Sequence, residues 1–468
     1  MEIIHFSAEC YPVAKVGGLG DVVGALPKYQ NKIGHTAKVV MPAYDNKFLN
    51  ENEFEGVYDG WVEIGVNNYQ VRILREKTNK LGFDLYLVHI PGLLNRPKVY
   101  GYDDDTERFL AFQIAALDWI HQWQHKPDVI HCHDYHTGLI PFMASNCPRF
   151  WRLNNVVTAF TIHNAQYQGQ FGWSKLHLIP VFDLRNSVKL EWDDAINPLG
   201  SAIKCAWKIS TVSPSYMEEI SYSANGLESL LQRERSKSHG ILNGIDNDVW
   251  DPAGDPMLAK NFNIKTFEAG KKANKKTLCD VFNLDVNKPL FTFIGRLVGE
   301  KGADLLPQIF ENVMRQSEGA LNILVLGSGE KHVEEQLEQL KDNFKGIYNT
   351  YIGYNEQLSH QMYAGADFLL MPSRVEPCGL NQMYALRYGT IPIVRRIGGL
   401  KDTVIDIGDG GFGFCHDQPT VGDVEHAIGR AYHFYQDTKA MKQIRKHIMT
   451  LDHSWDKSAQ DYINFYQI

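Results

Sequence analysis

Short runs of apolar and β-branched residues recur along the chain, each followed by a loop or a stretch with helical spacing. The first series lies at 2–7, 37–41, 85–90, 128–133, 156–163 and 208–212. The second lies at 290–294, 322–326, 348–353, 368–371 and 391–394, with amphipathic stretches such as 332–340 between its runs. A buried strand followed by a helix, repeated in this way, predicts parallel β-sheets. The two series therefore predict two α/β units.

Segment 240–248 separates the two series and carries the turn-forming pair Asn243-Gly244. We place a domain boundary there, with one domain at 1–245 and the second at 246–451. A chain of 468 residues with 44% hydrophobic side chains also suits two cores better than one. Ligands of open α/β sheets bind at the carboxyl ends of the strands. We therefore expect a doubly wound α/β protein whose function lies in a cleft between two such domains.

Composition narrows the class of partner. The net charge of −8 supplies no basic surface field for nucleic acid, so any phosphate contact must be local. No apolar run approaches the ~18 residues of a membrane span, and the N-terminus lacks a basic start. The seven cysteines form no Cys-x-x-Cys pair, a pattern typical of a reducing cytoplasm. We expect a cytoplasmic protein that binds neither membrane nor nucleic acid.

Two glycine turns follow strands of the two series. Lys15-Val16-Gly17-Gly18-Leu19 opens a predicted helix, where a bare backbone can approach phosphate and Lys15 adds a charge. Ile397-Gly398-Gly399-Leu400 repeats the arrangement in the second half. A tight turn beside a solvated lysine is the alternative for the first motif, but two such turns favour phosphate.

Charged residues mark two further strand ends of the second half. Arg296 and Lys301 flank one strand end and suit a diphosphate, although two surface charges would give the same pattern. Glu376 lies in an irregular turn after another strand, within Glu376-Pro377-Cys378-Gly379-Leu380. Its carboxylate could hold sugar hydroxyls or stabilise an oxocarbenium ion, with a plain solvated glutamate as the alternative.

The first half carries polar strand ends at His131-Cys132-His133-Asp134 and Thr161-Ile162-His163-Asn164. Asp134 and His163 are candidates for hydrogen bonds to a sugar. A zinc site and simple helix capping are the alternatives, but no closed ligand set accompanies the histidines. The aspartate runs 103–105 and 246–248 imitate a metal motif without ending an apolar strand, and capping of the following helix is the simpler interpretation of the first.

Together these motifs resemble the bacterial glycogen synthase and plant starch synthase family across essentially the whole chain. The resemblance rests on Lys15–Leu19, His131–Asp134, Thr161–Asn164, Asn243–Asp246, Arg296 with Lys301, and Glu376–Leu380. It implies a GT-B fold with an N-terminal acceptor domain, a C-terminal nucleotide domain, and a final helix within 452–468 crossing back to the first domain. The implied reaction is the retaining transfer of glucose, usually from ADP-glucose, to the non-reducing end of an α-1,4-glucan, without metal or cofactor.

The resemblance also implies roles for individual residues. The implied catalytic residues are Glu376, Arg296, Lys301, Asp134 and His163. The implied substrate contacts are Lys15, Gly18, Asn243, Tyr354, Cys378, Gly379, Leu380, Asn381, Gly398, Gly399 and Leu400. Two positions depart from the pattern, since Asn381 and Ile397 stand where family members often have threonine, which leaves the fine donor preference open.

Other functions remain open on the sequence alone. UDP-glucose is a possible donor, and a GT-B transferase making sucrose, trehalose or a bacterial glycoside would share many of these residues. A sugar-nucleotide epimerase is a more distant alternative. An inactive glucan-binding protein could keep the fold, but the retention of Arg296, Lys301 and Glu376 argues against it.

Overall fold

The computed structural model describes residues 1–467, so the last residue of the predicted final segment 452–468 lies outside the described residues. The chain divides into two compact units. Unit 1 comprises Met1–Gly244 together with the chain from Trp455 onward, and unit 2 comprises Ile245–Ser454.

Unit 1 is built on a nine-stranded sheet in the order β11-β10-β7-β6-β1-β2-β5-β4-β3. Its strands are β1 Glu2–Phe6, β2 Thr36–Pro42, β3 Phe54–Ile64, β4 Asn67–Glu76, β5 Asp84–His89, β6 Val129–His133, β7 Val157–Ile162, β10 Lys208–Thr211 and β11 Ser238–Gly240. A separate hairpin pairs β8 Glu191–Trp192 with β9 Ala195–Ile196. The pairs from β11 through β5 are parallel, and their central strands are buried along nearly their whole length, as strands covered on both faces must be.

Helices connect these strands. They are α1 Gly18–Lys32, α2 Lys47–Glu51, α3 Asp105–His121, α4 Ile140–Asn146, α5 Pro198–Cys205, α6 Pro214–Ile220 and α7 Glu228–Arg233.

Unit 2 contains a six-stranded parallel sheet in the order β14-β13-β12-β15-β16-β17. The strands are β12 Leu290–Leu297, β13 Asn322–Gly329, β14 Tyr348–Ile352, β15 Phe368–Met371, β16 Ile391–Arg395 and β17 Phe414–His416. The helices are α8 Phe267–Phe282, α9 Leu306–Gln316, α10 Lys331–Asn343, α11 Glu356–Gly365, α12 Asn381–Arg387, α13 Gly398–Thr403, α14 Val421–Tyr435 and α15 Thr438–Ile448. The predicted two-domain α/β architecture with parallel sheets is confirmed.

The last helix, α16 Trp455–Gln467, belongs to unit 1 although it follows unit 2 in the chain. It packs against α1, and its buried face is largely aromatic. Trp455, Tyr462, Phe465 and Tyr466 join a core cluster with residues of α1 and of the central strands. Helix α16 therefore completes the hydrophobic core of unit 1.

Two further observations concern the chain as a whole. All seven cysteines are free thiols. No helix among residues 1–467 combines the length and the apolar character needed to cross a bilayer.

Candidate active site

The predicted site residues of unit 2 lie at the carboxyl ends of strands in one sheet. Arg296 is the penultimate residue of β12, and Tyr354 comes two residues after β14. Glu376 follows β15, and Gly398 follows β16. Because the sheet is parallel, these residues share one edge of it. The exposed side chain of Tyr354 is 74% accessible, an unusual exposure for a large aromatic ring.

Lys301 and Glu376 form the most buried charged pair at this edge. The Lys301 ammonium lies 2.7 Å from each of the two carboxylate oxygens of Glu376. The Ser373 hydroxyl donates a third hydrogen bond, 2.9 Å long, to Oε2 of the same carboxylate. Only 6% of Glu376 is accessible, so these three hydrogen bonds replace the contacts with water that the side chain loses on burial. The two residues that the sequence assigned to different parts of a donor are thus in direct contact.

Arg296 lies in a more open environment. Its side chain is 48% exposed and contacts Glu300 at 3.2 Å, four residues later in the chain. An exposed pair of this kind contributes little to folding. The guanidinium at the strand end therefore remains accessible to an anion.

The turn that carries Glu376 packs tightly against the second glycine turn. Gly398 has a φ of 47°, and a Cβ there would lie 1.9 Å from the carbonyl oxygen of Glu376. A Cβ on Gly399 would lie 2.1 Å from the carbonyl oxygen of Cys378. The Gly399 N–H also donates to the carbonyls of Glu376 and Pro377. Both glycines are therefore required to hold the Glu376 turn in position.

The remaining predicted contacts of unit 2 surround that turn. The side chains of Cys378 and Leu400 are buried, so any contact that these two residues make with a ligand falls to their main chain. Gly379 has a φ of 72° and Leu380 precedes α12. The Asn381 side-chain amide donates to the Ile294 carbonyl of β12 at 2.8 Å. Asn381 thereby ties the helix start to the strand that carries Arg296.

The first glycine turn of unit 1 is held by a residue that the sequence did not single out. The Glu9 carboxylate accepts the backbone N–H groups of Val16 at 2.6 Å and Gly17 at 2.9 Å. Its other oxygen accepts the Tyr100 hydroxyl at 2.7 Å. Burial raises the pKa of Glu9, while these hydrogen bonds oppose the rise. Glu9 could have been identified from the sequence, because it is an acidic residue between the end of a strand and a glycine turn.

The start of α1 offers bare backbone. The N-cap residue Gly17 provides no side-chain hydrogen bond to the helix, and neither Gly17 nor Gly18 has a positive φ. A Cβ at either position would meet no atom within 4 Å. Nearby, the Lys15 ammonium lies 2.7 Å from the Asp21 carboxylate. Packing in unit 1 therefore does not require glycine at positions 17 and 18.

Asp134 and His163 meet at the ends of β6 and β7. The Asp134 carboxylate accepts the backbone N–H of His163 at 2.7 Å. Asp134 also has a φ of 57° and a ψ of 175°, a strained conformation for a residue with a side chain. Burial raises the pKa of Asp134 to about 7, although hydrogen bonds from the backbone oppose the rise. The two predicted strand-end residues are therefore joined by a short contact between the side chain of one and the main chain of the other.

Asn243 lies just after β11 at the same edge of the unit 1 sheet. It is 4% exposed, and its side-chain oxygen has no hydrogen-bond partner in the described part of the chain. A buried acceptor without a partner costs free energy, so each such group calls for an explanation.

The strand histidines lie together, as the alternation along β6 predicts. Ring nitrogens of His5, His131 and His133 come within 4.8 Å of one another, a spacing that a metal ion could use. Every ring nitrogen of these three side chains, however, already has a hydrogen-bond partner inside the protein. A metal ion would have to displace those contacts.

The aspartate run 103–105 does not cap α3 as expected. Asp104 occupies the N-cap position, but its carboxylate makes no hydrogen bond to the helix. It pairs instead with Arg96 at 2.6 Å, while Asp105 pairs with the buried Arg108. In the second run, Asp246 accepts the backbone N–H of Asp248 within a local turn. The expectation that the first run caps a helix is wrong, because Arg96 and Arg108 bind the carboxylates of Asp104 and Asp105.

Two family models match the chain. The starch synthase catalytic domain matches residues 2–233, and glycosyl transferases group 1 matches residues 274–447. Each match falls within one of the two structural units.

Individual relatives give the same result. A glycogen synthase from Flavobacterium johnsoniae is 56% identical over 468 residues, covering 100% of this chain and 99% of its own. A glycogen synthase from Geobacillus stearothermophilus is 37% identical, and the match covers 100% of this chain and 97% of the relative. The catalytic domain of starch synthase IV from Arabidopsis thaliana, bound to ADP and acarbose, superimposes with a TM-score of 0.91 at 33% identity, covering 99% and 98%. Sucrose-phosphate synthase from Thermosynechococcus elongatus shares the fold, with a TM-score of 0.63 at 15% identity over 100% and 98%.

Proposed function

We propose a reaction for this chain, which belongs to the glycogen synthase and starch synthase family of glycosyltransferases. It transfers glucose from ADP-glucose to the non-reducing end of an α-1,4-glucan, with retention of configuration. The contact between Lys301 and Glu376 at the edge of the unit 2 sheet carries this proposal, because it joins a cation to a carboxylate suited to sugar hydroxyls. UDP-glucose is the alternative donor. The seven free cysteines support a reducing, cytoplasmic setting for the reaction.

The donor contacts are proposed for unit 2. Arg296 and Lys301 bind the diphosphate, with the exposed guanidinium suited to a bidentate contact. The main chain of Gly398, Gly399 and Leu400 contacts phosphate or sugar, and the exposed ring of Tyr354 stacks on the base. Glu376 accepts sugar hydroxyls, supported by its buried position and by Ser373. The turn at Cys378, Gly379, Leu380 and Asn381 contributes main-chain contacts beside it.

The transition state explains why cations belong at this edge. As the bond between the anomeric carbon and the diphosphate lengthens, negative charge develops on the leaving oxygen and positive charge on the sugar ring. Arg296 and Lys301 stabilise the first charge. Groups that interact more strongly with the transition state than with the bound donor raise turnover, whereas groups that bind both equally do not.

Unit 1 supplies the sugar and acceptor contacts in this proposal. Asp134 and His163 bind the transferred sugar, and the unpartnered side-chain oxygen of Asn243 is suited to a sugar hydroxyl. Lys15 and the main chain at Gly18 bind a phosphate group or the acceptor glucan. Neither nucleic acid nor a membrane enters the reaction.

A donor competition assay tests the proposed function. The full-length protein is incubated with glycogen and either ADP-[¹⁴C]glucose or UDP-[¹⁴C]glucose, and label in precipitated glucan is counted. We expect label from ADP-glucose, competed weakly by unlabelled UDP-glucose, in new α-1,4 bonds. Transfer only to a monosaccharide or sugar phosphate would overturn the proposal and support a related glycoside-forming enzyme.

Activity is expected to persist in a chelator. Asp104 and Asp105 of run 103–105 are paired with arginines, and Arg296 and Lys301 offer the diphosphate two cations. The assay above is repeated with EDTA and then with added Mg²⁺ or Mn²⁺. Loss of turnover in EDTA that either ion restores would contradict this expectation.

Gly18→Ala separates binding from folding. Because the added methyl group meets no protein atom, we expect the thermal midpoint to stay the same or rise, while turnover falls through obstruction of a ligand at the start of α1. Differential scanning calorimetry and the transfer assay measure the two effects. Gly429→Ala within α14, where a Cβ also meets nothing, is the matched control and should leave turnover unchanged. Normal activity of Gly18→Ala would remove Gly18 from the site.

A further inference from the structure

A buried chain of three imidazoles leads from α1 to the candidate site in unit 1. The Gln30 side-chain oxygen contacts Nε2 of His5 at 2.7 Å, and Nδ1 of His5 contacts Nε2 of His133 at 2.9 Å. Nδ1 of His133 contacts Nε2 of His163 at 2.9 Å. Gln30, His5 and His133 are fully buried. This histidine chain ends at His163, next to Asp134.

A second branch leaves the same glutamine. The Gln30 side-chain nitrogen donates to the Tyr466 hydroxyl of α16 at 3.1 Å. Tyr466 contacts Nδ1 of His131 at 2.8 Å, and Nε2 of His131 contacts the Thr161 hydroxyl at 2.7 Å. Gln30 is therefore the junction of the two branches, with its side-chain oxygen toward His5 and its side-chain nitrogen toward Tyr466.

The histidine chain consists of neutral imidazoles. Burial lowers the pKa of His163 to about 3 and that of His5 to about 4, and it lowers the pKa of His133 and His131 well below the usual range. A neutral imidazole has one N–H and one acceptor nitrogen. Each contact in the histidine chain therefore fixes the next tautomer.

The proton positions follow from the Gln30 oxygen. This oxygen can only accept, so His5 carries its proton on Nε2 and accepts at Nδ1. His133 then donates from Nε2 and accepts at Nδ1, and His163 donates from Nε2. Nδ1 of His163 is left as an acceptor, and it makes no hydrogen bond within residues 1–467. Rotation of the Gln30 amide by half a turn would reverse every proton and make the same nitrogen a donor.

We infer that Gln30, whose side-chain oxygen faces His5, is a positioning residue that acts through His5 and His133. It fixes His163 in the tautomer whose Nδ1 accepts a hydrogen bond. The ligand of that nitrogen is a hydroxyl group of the sugar. This assignment rests on the proposed function. A hydroxyl can donate to Nδ1 while its oxygen remains available to another donor. The buried side chains of unit 1 thus make Nδ1 of His163 a hydrogen-bond acceptor, while every imidazole of the histidine chain stays neutral.

Ring ¹⁵N NMR of the full-length protein, labelled at histidine, reads the tautomer directly. The His163 signals are assigned by their loss in His163→Gln. We expect an acceptor-type Nδ1 and a protonated Nε2 in the wild type. In Gln30→Leu the partner of His5 Nε2 is gone, so the His163 proton should shift toward Nδ1. A protonated Nδ1 in the wild type, or an unchanged tautomer in Gln30→Leu, would overturn the inference.

Kinetics provide the second measurement. Gln30→Leu should lower kcat/KM by roughly tenfold, the factor for one misdirected hydrogen bond. Gln113→Leu removes another buried amide of unit 1, which contacts Phe109 and Leu139 but no member of the histidine chain, and controls for general destabilisation. An equal loss of kcat/KM in Gln113→Leu at a matched thermal midpoint would contradict the positioning role.

The two proposals fail in distinguishable ways. If the protein transfers no sugar from any nucleotide donor, the proposed function fails, while the NMR measurement still decides the tautomer. If transfer occurs and the tautomer is reversed, only the inference on Gln30 fails.

Discussion

Replacing Lys301 with alanine is expected to lower turnover by about 10²- to 10³-fold, the usual effect of removing one positioned donor from a developing negative charge. The Michaelis constant for the donor should change far less, because the interaction strengthens as the leaving group departs. Steady-state kinetics with glycogen and the preferred donor measure both constants. Wild-type turnover with a raised Michaelis constant would make Lys301 a binding contact only.

The contact with Glu376 adds a second effect that must be separated. Without Lys301, the nearly buried Glu376 carboxylate loses its cation, so the variant should also be less stable. The double variant Lys301→Ala/Glu376→Gln removes the unpaired charge. We expect it to recover stability in thermal melts without recovering turnover. Failure to recover stability would show that the unpaired Glu376 charge is not what destabilises Lys301→Ala.

Arg296 provides the comparison at the same edge. Because its side chain is half exposed and pairs with Glu300 four residues away, Arg296→Ala should lower turnover without lowering stability. Arg296→Lys should restore activity only in part, since lysine lacks the bidentate guanidinium. Arg315→Ala removes a similar exposed pair with Glu311 and is the matched control.

The strands that carry the site could be predicted from the sequence because they are buried on both faces. Such strands read as continuous apolar runs, and most predicted ends fall within one or two residues of the observed ones, as at β6 and β15. The predicted end of β12 is too early because Gly295 and Arg296 interrupt the apolar run although the backbone stays extended. The antiparallel pair β3 and β4 is absent from the prediction, since about half of its residues are exposed and interrupt any apolar run.

The grouping of the candidate residues at one edge of the unit 2 sheet was predictable for a related reason. A parallel sheet collects strand ends at one edge, so Arg296, Glu376 and Gly398 could be grouped from the order of the apolar runs alone. Their partners could not be identified, because they depend on the path of the chain. Lys301 and Glu376 are 75 residues apart, and Tyr100 reaches Glu9 across 91. The tyrosine of α16 that contacts Gln30 lies 436 residues away, beyond any local pattern.

Asp134→Asn is expected to lower turnover by roughly 10²-fold or more, the usual effect of losing one electrostatic contact with the transition state, while making unit 1 more stable at neutral pH. Asparagine tolerates the positive φ at this position and keeps an oxygen for the His163 N–H. It cannot ionise, so it lacks the negative charge that the proposed sugar contact uses. Activity and stability should therefore change in opposite directions.

The pKa of Asp134 sets the pH dependence of both effects. Burial, together with the nearby Glu9 carboxylate, raises it to about 7 from the usual 3.8. Below pH 3.8 the carboxyl group is protonated in both folded and unfolded chains, so folding buries a neutral group and the stability of the protein is not reduced by ionisation. That stability is lost as pH rises through about 7, where the buried group must ionise. The gain in thermal midpoint from Asp134→Asn should thus be larger at pH 8 than at pH 4.

The rate should follow the opposite course. If the ionised carboxylate supports transfer, wild-type kcat/KM rises with an apparent pKa near 7, and this step is absent from the residual activity of Asp134→Asn. Asp193→Asn changes another positive-φ aspartate of unit 1, an exposed one, and should alter neither property. We expect no covalent sugar on the enzyme. A glucosylated Asp134 or Glu376 detected by mass spectrometry would replace the front-face reaction with a double displacement, in which the carboxylate is the nucleophile.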